Sequence, residues 1–113
     1  MLNFFKNNQN NNYNQFTISL SYYNDGAFLK KQLEVFKQYY LFTKIQIIDD
    51  GSKEDPIEDH LHLIPQGISV FKIIEDIKWN IPGVRNLGSM ITSTPWILHL
   101  DMDHIIPLES IKK

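Results

Sequence analysis

Ile45-Gln46-Ile47-Ile48-Asp49-Asp50-Gly51-Ser52 decides how the rest of this chain is read. The first four residues make a short, β-branched run, too brief for a helix and well suited to a strand. Two carboxylates, a glycine and a serine then stop it with turn chemistry, so this strand ends in an acidic turn.

The same grammar holds on either side. Towards the N-terminus, Phe16-Thr17-Ile18-Ser19-Leu20-Ser21-Tyr22 alternates as a strand does and ends at the turn cluster Asn24-Asp25-Gly26. Between the two strands, Phe28, Leu29, Leu33, Phe36 and Tyr40 recur at helical spacing, with Lys30, Lys31, Glu34 and Lys37 on the other face. Phe28, Leu33 and Phe36 are accordingly read as core. Towards the C-terminus, Asp55-Pro56 allows a short helix to about Leu63, with proline in its first turn. Pro65-Gln66-Gly67 punctuates, and Ile68 to Ile74 makes a third strand. A loop with Pro82-Gly83 leads into a helix over Val84 to Thr92, and Trp96-Ile97-Leu98-His99-Leu100 is a fourth strand that ends at Asp101-Met102-Asp103.

Strands alternating with helical segments predict an α/β fold: a three-layer, Rossmann-like parallel sheet of about four strands joined by right-handed crossovers. An order in which the fourth strand is an edge leaves Trp96, Ile97 and Leu98 without neighbours, and such an edge invites association.

At 113 residues the chain supports one domain, and 42% apolar with 21% charged residues describes a globular one. The absence of cysteine excludes a disulfide scaffold, a zinc finger and a thiol nucleophile, and points to a reducing compartment. No apolar stretch approaches the roughly 18 residues of a membrane span, and the N-terminus lacks the pattern of a signal peptide, so a cytoplasmic protein without a membrane span is expected. A net charge of −2 with no long basic run disfavours nucleic acid as a partner. Residues 1–15 carry seven asparagines and read as a mobile tail, although Leu2, Phe4 and Phe5 could dock on the body as a terminal strand. The globular domain is 16–113.

Ligands of open parallel sheets bind outside the carboxyl ends of the strands. This chain gathers polar residues there: Tyr23-Asn24-Asp25, Asp49-Asp50-Gly51-Ser52 and Asp101-Met102-Asp103. Asp101 and Asp103, two apart on an extended segment, can point their carboxylates to one side and hold Mg²⁺ or Mn²⁺ with water and phosphate oxygens. His104 either joins that metal shell or caps the loop. Arg85 is the only arginine, and its guanidinium offers bidentate hydrogen bonds at an expected helix start, where anions are favoured. His60 and His62 do not share a helix face and read as solvated surface residues. Trp79 either shields a sugar or packs beneath its loop, the second being the simpler reading.

Taken together, Thr17 to Asn24, Ile45 to Ser52, Asn80 to Gly88 and Leu100 to Asp103 resemble, in order, four motifs of the family 2 glycosyltransferases. These are the first strand with its Tyr-Asn, the Asp-Asp-Gly-Ser turn, the Arg-Asn-x-Gly segment and the Asp-x-Asp motif. The resemblance covers roughly Thr17 to Pro107 and implies the N-terminal, nucleotide-sugar-binding half of a GT-A fold. It implies that Tyr23, Asn24 and Asp50 or Asp49 contact the nucleotide, that Arg85 holds base or phosphate, and that Asp101 reaches ribose and metal. Asp103 would ligate the Mn²⁺ or Mg²⁺ that bridges the diphosphate of a UDP-sugar, the family's commonest donor. Ser21-Tyr22 stands where the family usually has Pro-Thr. The family's acceptor-binding half and general base lie downstream of these motifs, so the chain reads as truncated. The expected function is glycosyl transfer to an unknown acceptor, needing a downstream half or a second protein chain. The alternative is a catalytically inactive donor-binding remnant or partner-binding module.

Other readings fit less well. Leu98 to Asp103 also resembles the opening motif of haloacid-dehalogenase-like phosphatases, which need further strands and acids after it. The Gly-x-Gly-x-x-Gly of a dinucleotide site and the Gly-Lys-Ser/Thr of a P-loop do not occur. A receiver domain requires a later lysine in a five-strand plan.

Overall fold

The computed structural model describes residues 2–6, 16–38, 40–41, 43–74 and 81–106. Five strands, β1 (Leu2–Lys6), β2 (Phe16–Tyr22), β3 (Lys44–Asp49), β4 (Ser69–Ile73) and β5 (Trp96–Leu100), form one sheet in the order β1-β4-β3-β2-β5. β2 pairs in parallel with both β3 and β5, and β3 with β4, which is the predicted four-strand core.

The fifth strand departs from the expected tail. Leu2–Lys6 runs antiparallel along β4, from Leu2 opposite Ile73 to Lys6 opposite Val70. Ladder hydrogen bonds to an existing edge stabilise a segment whose own composition would not order it. Residues 7–15 lie outside the described residues, as does Trp79.

Period-2 alternation sorts the side chains onto two faces. Ile18, Leu20, Tyr22, Ile45, Ile47 and Val70 pack against Leu29, Leu33 and Phe36 of α1 (Gly26–Phe36) and against Ile57, Ile64 and Ile68. Each fully buried aliphatic side chain here contributes about 1.5–3 kcal/mol. On the other face Ile48 and Phe71 of the sheet meet Val84 of α2 (Ile81–Ile91) in a smaller cluster, with Ile73, Leu87 and Ile91 packed on it. A Cβ on Gly88 would stand 2.6 Å from Ser19 Oγ, so glycine lets α2 lie close to β2.

Helix ends differ from expectation for local reasons. α1 begins at Gly26 because Asp25 is its N-cap, the carboxylate accepting from Phe28 N at 3.2 Å. The segment after Asp55-Pro56 is a 3₁₀ helix, Ile57–Leu63, with Pro56 outside it at ψ 153°. α2 starts at Ile81, three residues before the expected Val84, since proline is compatible with a first helical turn. Arg85 therefore sits past the first turn rather than at the helix start.

β2 leads to β3 and β4 on one side and has β5 on the other, so strand order reverses at β2. The crevice at the carboxyl ends of β2 and β5 is the topological switch point. β5 is an edge, as expected, with Trp96 69% and Leu98 40% exposed. No helix among the described residues is long and apolar enough to cross a membrane.

Candidate functional site

A cavity of about 290 Å³ opens at that switch point. Ser21, Tyr22, Tyr23 and Asp25 line it from the end of β2, Asp50 from the end of β3, Asp101, Met102 and Asp103 from the end of β5, and Val84 from α2. The three acidic clusters thus converge as the strand pattern predicts. Asp25, one of the polar residues expected at this strand end, also caps α1. Its place just before an apolar helical run is the N-cap signal that sequence reading passed over as a turn.

The adjacent carboxylates of β3 have different environments. Asp49 is fully buried; it accepts from Ser52 N at 2.8 Å and Ile57 N at 2.9 Å, with Lys72 Nζ 4.0 Å away. It organises the turn and does not line the cavity. Asp50, whose backbone N–H donates to Tyr22 O at 2.9 Å, is the one that does.

Asn24 is also committed to the scaffold. It takes the left-handed region at φ 45°, which asparagine tolerates, and its Oδ1 accepts from Glu54 N at 3.2 Å and Asp55 N at 2.9 Å. Its backbone N–H donates to Ser52 Oγ at 2.8 Å, so the turns after β2 and β3 are tied together.

Beneath these turns lies a contact that sequence reading missed. His60 Nε2 is 2.6 Å from Asp55 Oδ1, and Gly26 N donates to Asp55 Oδ2 at 2.6 Å. His60 is therefore not a solvated surface residue, with only 15% of its side chain exposed, whereas His62 is exposed. The hydrogen bond to His60, then that from Gly26, holds the Asp55 carboxyl below its ordinary range. Tyr22 donates its hydroxyl to Asp55 O at 2.6 Å; burial, then the Asp55 charge, raises its pKa well above the usual tyrosine value. No local pattern announces this group, because its members come from the end of β2, the start of α1 and the 3₁₀ segment with the residues before it.

At the opposite wall, Arg85 Nη2 stands 3.5 Å from Asp101 Oδ1. Asp101 and Asp103 are brought to one cavity by a turn, closed by His104 N donating to Asp101 O at 3.1 Å, rather than by the extended segment expected. His104 places Nδ1 4.0 Å from Asp101 Oδ2 and Nε2 3.8 Å from Asp103 Oδ1. It faces each carboxylate with a different nitrogen, beyond hydrogen-bond distance of either. Among the described residues no three His, Asp or Glu side chains are grouped to hold a metal ion. Asp101 and Asp103 are the cavity carboxylates that could hold a hard cation of the Mg²⁺ or Mn²⁺ kind, which keeps several waters and takes phosphate oxygens alongside one or two protein ligands. On the far side of Arg85, burial and then the guanidinium charge lower the pKa of His99, whose Nε2 is 3.3 Å from Ser89 Oγ.

The model of the glycosyl transferase family 2 matches residues 17–113. Among solved structures, residues 1–349 of S. aureus TarS superpose with a TM-score of 0.70 at 16% identity, covering 86% of this chain and 30% of that one. The chain thus spans under a third of the length of that structure, and the likeness is one of fold. No curated protein matches the sequence.

Proposed function

The chain belongs to glycosyl transferase family 2, and on that premise we propose that the switch-point cavity binds a nucleotide-diphosphate sugar, by default a UDP-sugar, with Mn²⁺ or Mg²⁺, for glycosyl transfer to an acceptor. The observation that carries this reading is the convergence of Tyr23, Asp50, Asp101 and Asp103, from three strand ends, on one cavity.

The roles follow from chemistry and position. Tyr23, 47% exposed at the rim, offers an aromatic face to the base, and Asp50 offers a carboxylate to its N–H. Arg85 takes phosphate oxygens in bidentate fashion, moving from its pairing with Asp101. Asp101 and Asp103 are the residues that would hold the cation. When bound, the cation neutralises charge developing on the departing nucleoside diphosphate. Asp49 and Asn24 act indirectly, by fixing the turns that carry Asp50 and Tyr23. Donor binding belongs to these residues, and the general base to groups outside them.

Backbone amide shifts on titration with UDP and Mg²⁺ test the reading. Shifts are expected at Tyr23, Asp25, Asp50 and Asp101 to Asp103. Shifts confined to the cavity at the other end of the sheet, lined by Thr17, Lys44 and Ser93, would contradict it.

A second reading, a donor-binding module that transfers nothing alone and works against a partner chain, is favoured by the exposed apolar edge of β5. Sugar transfer by the purified chain would exclude it.

A further inference from the structure

Gln32 occupies a position that suits an aliphatic side chain. It lies on the buried face of α1 with Gly26, Leu29, Leu33 and Phe36, and is itself fully buried. Its Nε2 donates to two carbonyl oxygens some seventy residues away in sequence, Met102 O at 2.8 Å and His104 O. Its Oε1 has no hydrogen-bond partner among the described residues.

Burying an amide with an unpaired acceptor is unfavourable, and a leucine or methionine of similar volume would avoid that cost. The orientation follows from the partners: two carbonyls require the NH₂ to face them, which turns the oxygen away. The two bonds clasp the turn that carries Asp101 and Asp103, two residues that line the cavity. α1 then serves both walls of the site. Its N-cap Asp25 lines the cavity, and Gln32, about two turns further on, secures the acidic turn across from it.

We infer that Gln32 is a positioning residue for the donor site, holding the Asp101–His104 turn so that both carboxylates meet cation and diphosphate in a single arrangement. This rests on the donor-site reading above. Asp101 and Met102 are half-buried and Asp103 and His104 exposed, so without the amide their carbonyls can be hydrated. The chain is then expected to fold while the turn gains alternatives. Groups that orient metal ligands typically change metal affinity about 10- to 100-fold when removed.

The test compares wild type with Gln32→Met and Gln32→Leu, once circular dichroism has shown both variants folded. Amide hydrogen exchange at Met102, Asp103 and His104 is measured without ligand, and UDP is titrated with EDTA and then with Mn²⁺. Expected are faster exchange in that turn, unchanged metal-free UDP affinity, and a Mn²⁺-dependent gain in affinity reduced about 10- to 100-fold. A general loss of stability would not separate the last two. Wild-type exchange and a wild-type Mn²⁺ gain in the folded variants would overturn the inference alone. Wild-type protein whose UDP affinity ignores Mn²⁺ would overturn the donor-site reading and the inference with it, and that failure is recognisable because it appears without any substitution.

Discussion

Arg85 and Asp101, from α2 and the end of β5, face each other at 3.5 Å across the rim of the switch-point cavity. Both side chains are more than two-fifths exposed, so as an ion pair they add little to stability. Their importance lies in what they would bind.

Arg85→Ala is expected to leave the melting temperature nearly unchanged and to weaken UDP binding about tenfold, the worth of a charge-assisted hydrogen bond. Arg85→Lys should recover only part of the loss, because an ammonium cannot bond bidentately. Thermal unfolding and UDP titration of the two variants check this; equal affinity in all three proteins would remove Arg85 from the site.

Asp49 and Asp50 are adjacent in sequence and predicted to behave oppositely. Asp49→Ala leaves the buried amides of Ser52 and Ile57 without their acceptor and should cost roughly 2–6 kcal/mol at about 1–3 kcal/mol each. Asp50→Ala should alter stability by less than about 1 kcal/mol while weakening UDP binding about tenfold. Urea unfolding and titration of both variants decide the assignment; a stable Asp49→Ala protein with impaired binding would reverse it.

That contrast shows where the sequence was informative and where it stopped. Short β-branched runs closed by Asp, Asn and Gly located β2 to β5, and the strand ends located the cavity, because alternation and turn chemistry are local properties. The same alternation carries Asp49 onto the buried face of Ile45 and Ile47, a signal that could have separated it from Asp50. Leu2–Lys6 was obscured because the stabilising partner is the distant edge of β4. Gln32 carries no local signal of its role, and only the return of Met102 and His104 in space makes it a clasp. His60 was missed for the same reason, its partner being set by the course of the 3₁₀ segment.

The Asp55 carboxyl titrates below its ordinary value of 3.8 chiefly because of His60. Its stabilising contribution is complete above that value and is lost as pH falls through the lowered one. His60→Ala removes the main cause, so acid unfolding should begin at higher pH than in wild type. Circular dichroism between about pH 2 and 6 checks the direction; coincident transitions would mean that the Asp55–His60 contact does not contribute.

Asp103 is the most direct test of the central claim, since its side chain is 74% exposed and its removal should not disturb the fold. Calorimetric titration of UDP into the wild-type chain and Asp103→Ala, each with and without Mn²⁺, is predicted to show a metal-dependent gain in wild type that disappears in the folded variant. A folded wild-type chain whose affinity for UDP is indifferent to Mn²⁺, or a variant that binds as wild type does, would contradict the assignment of this cavity as a metal-assisted donor site.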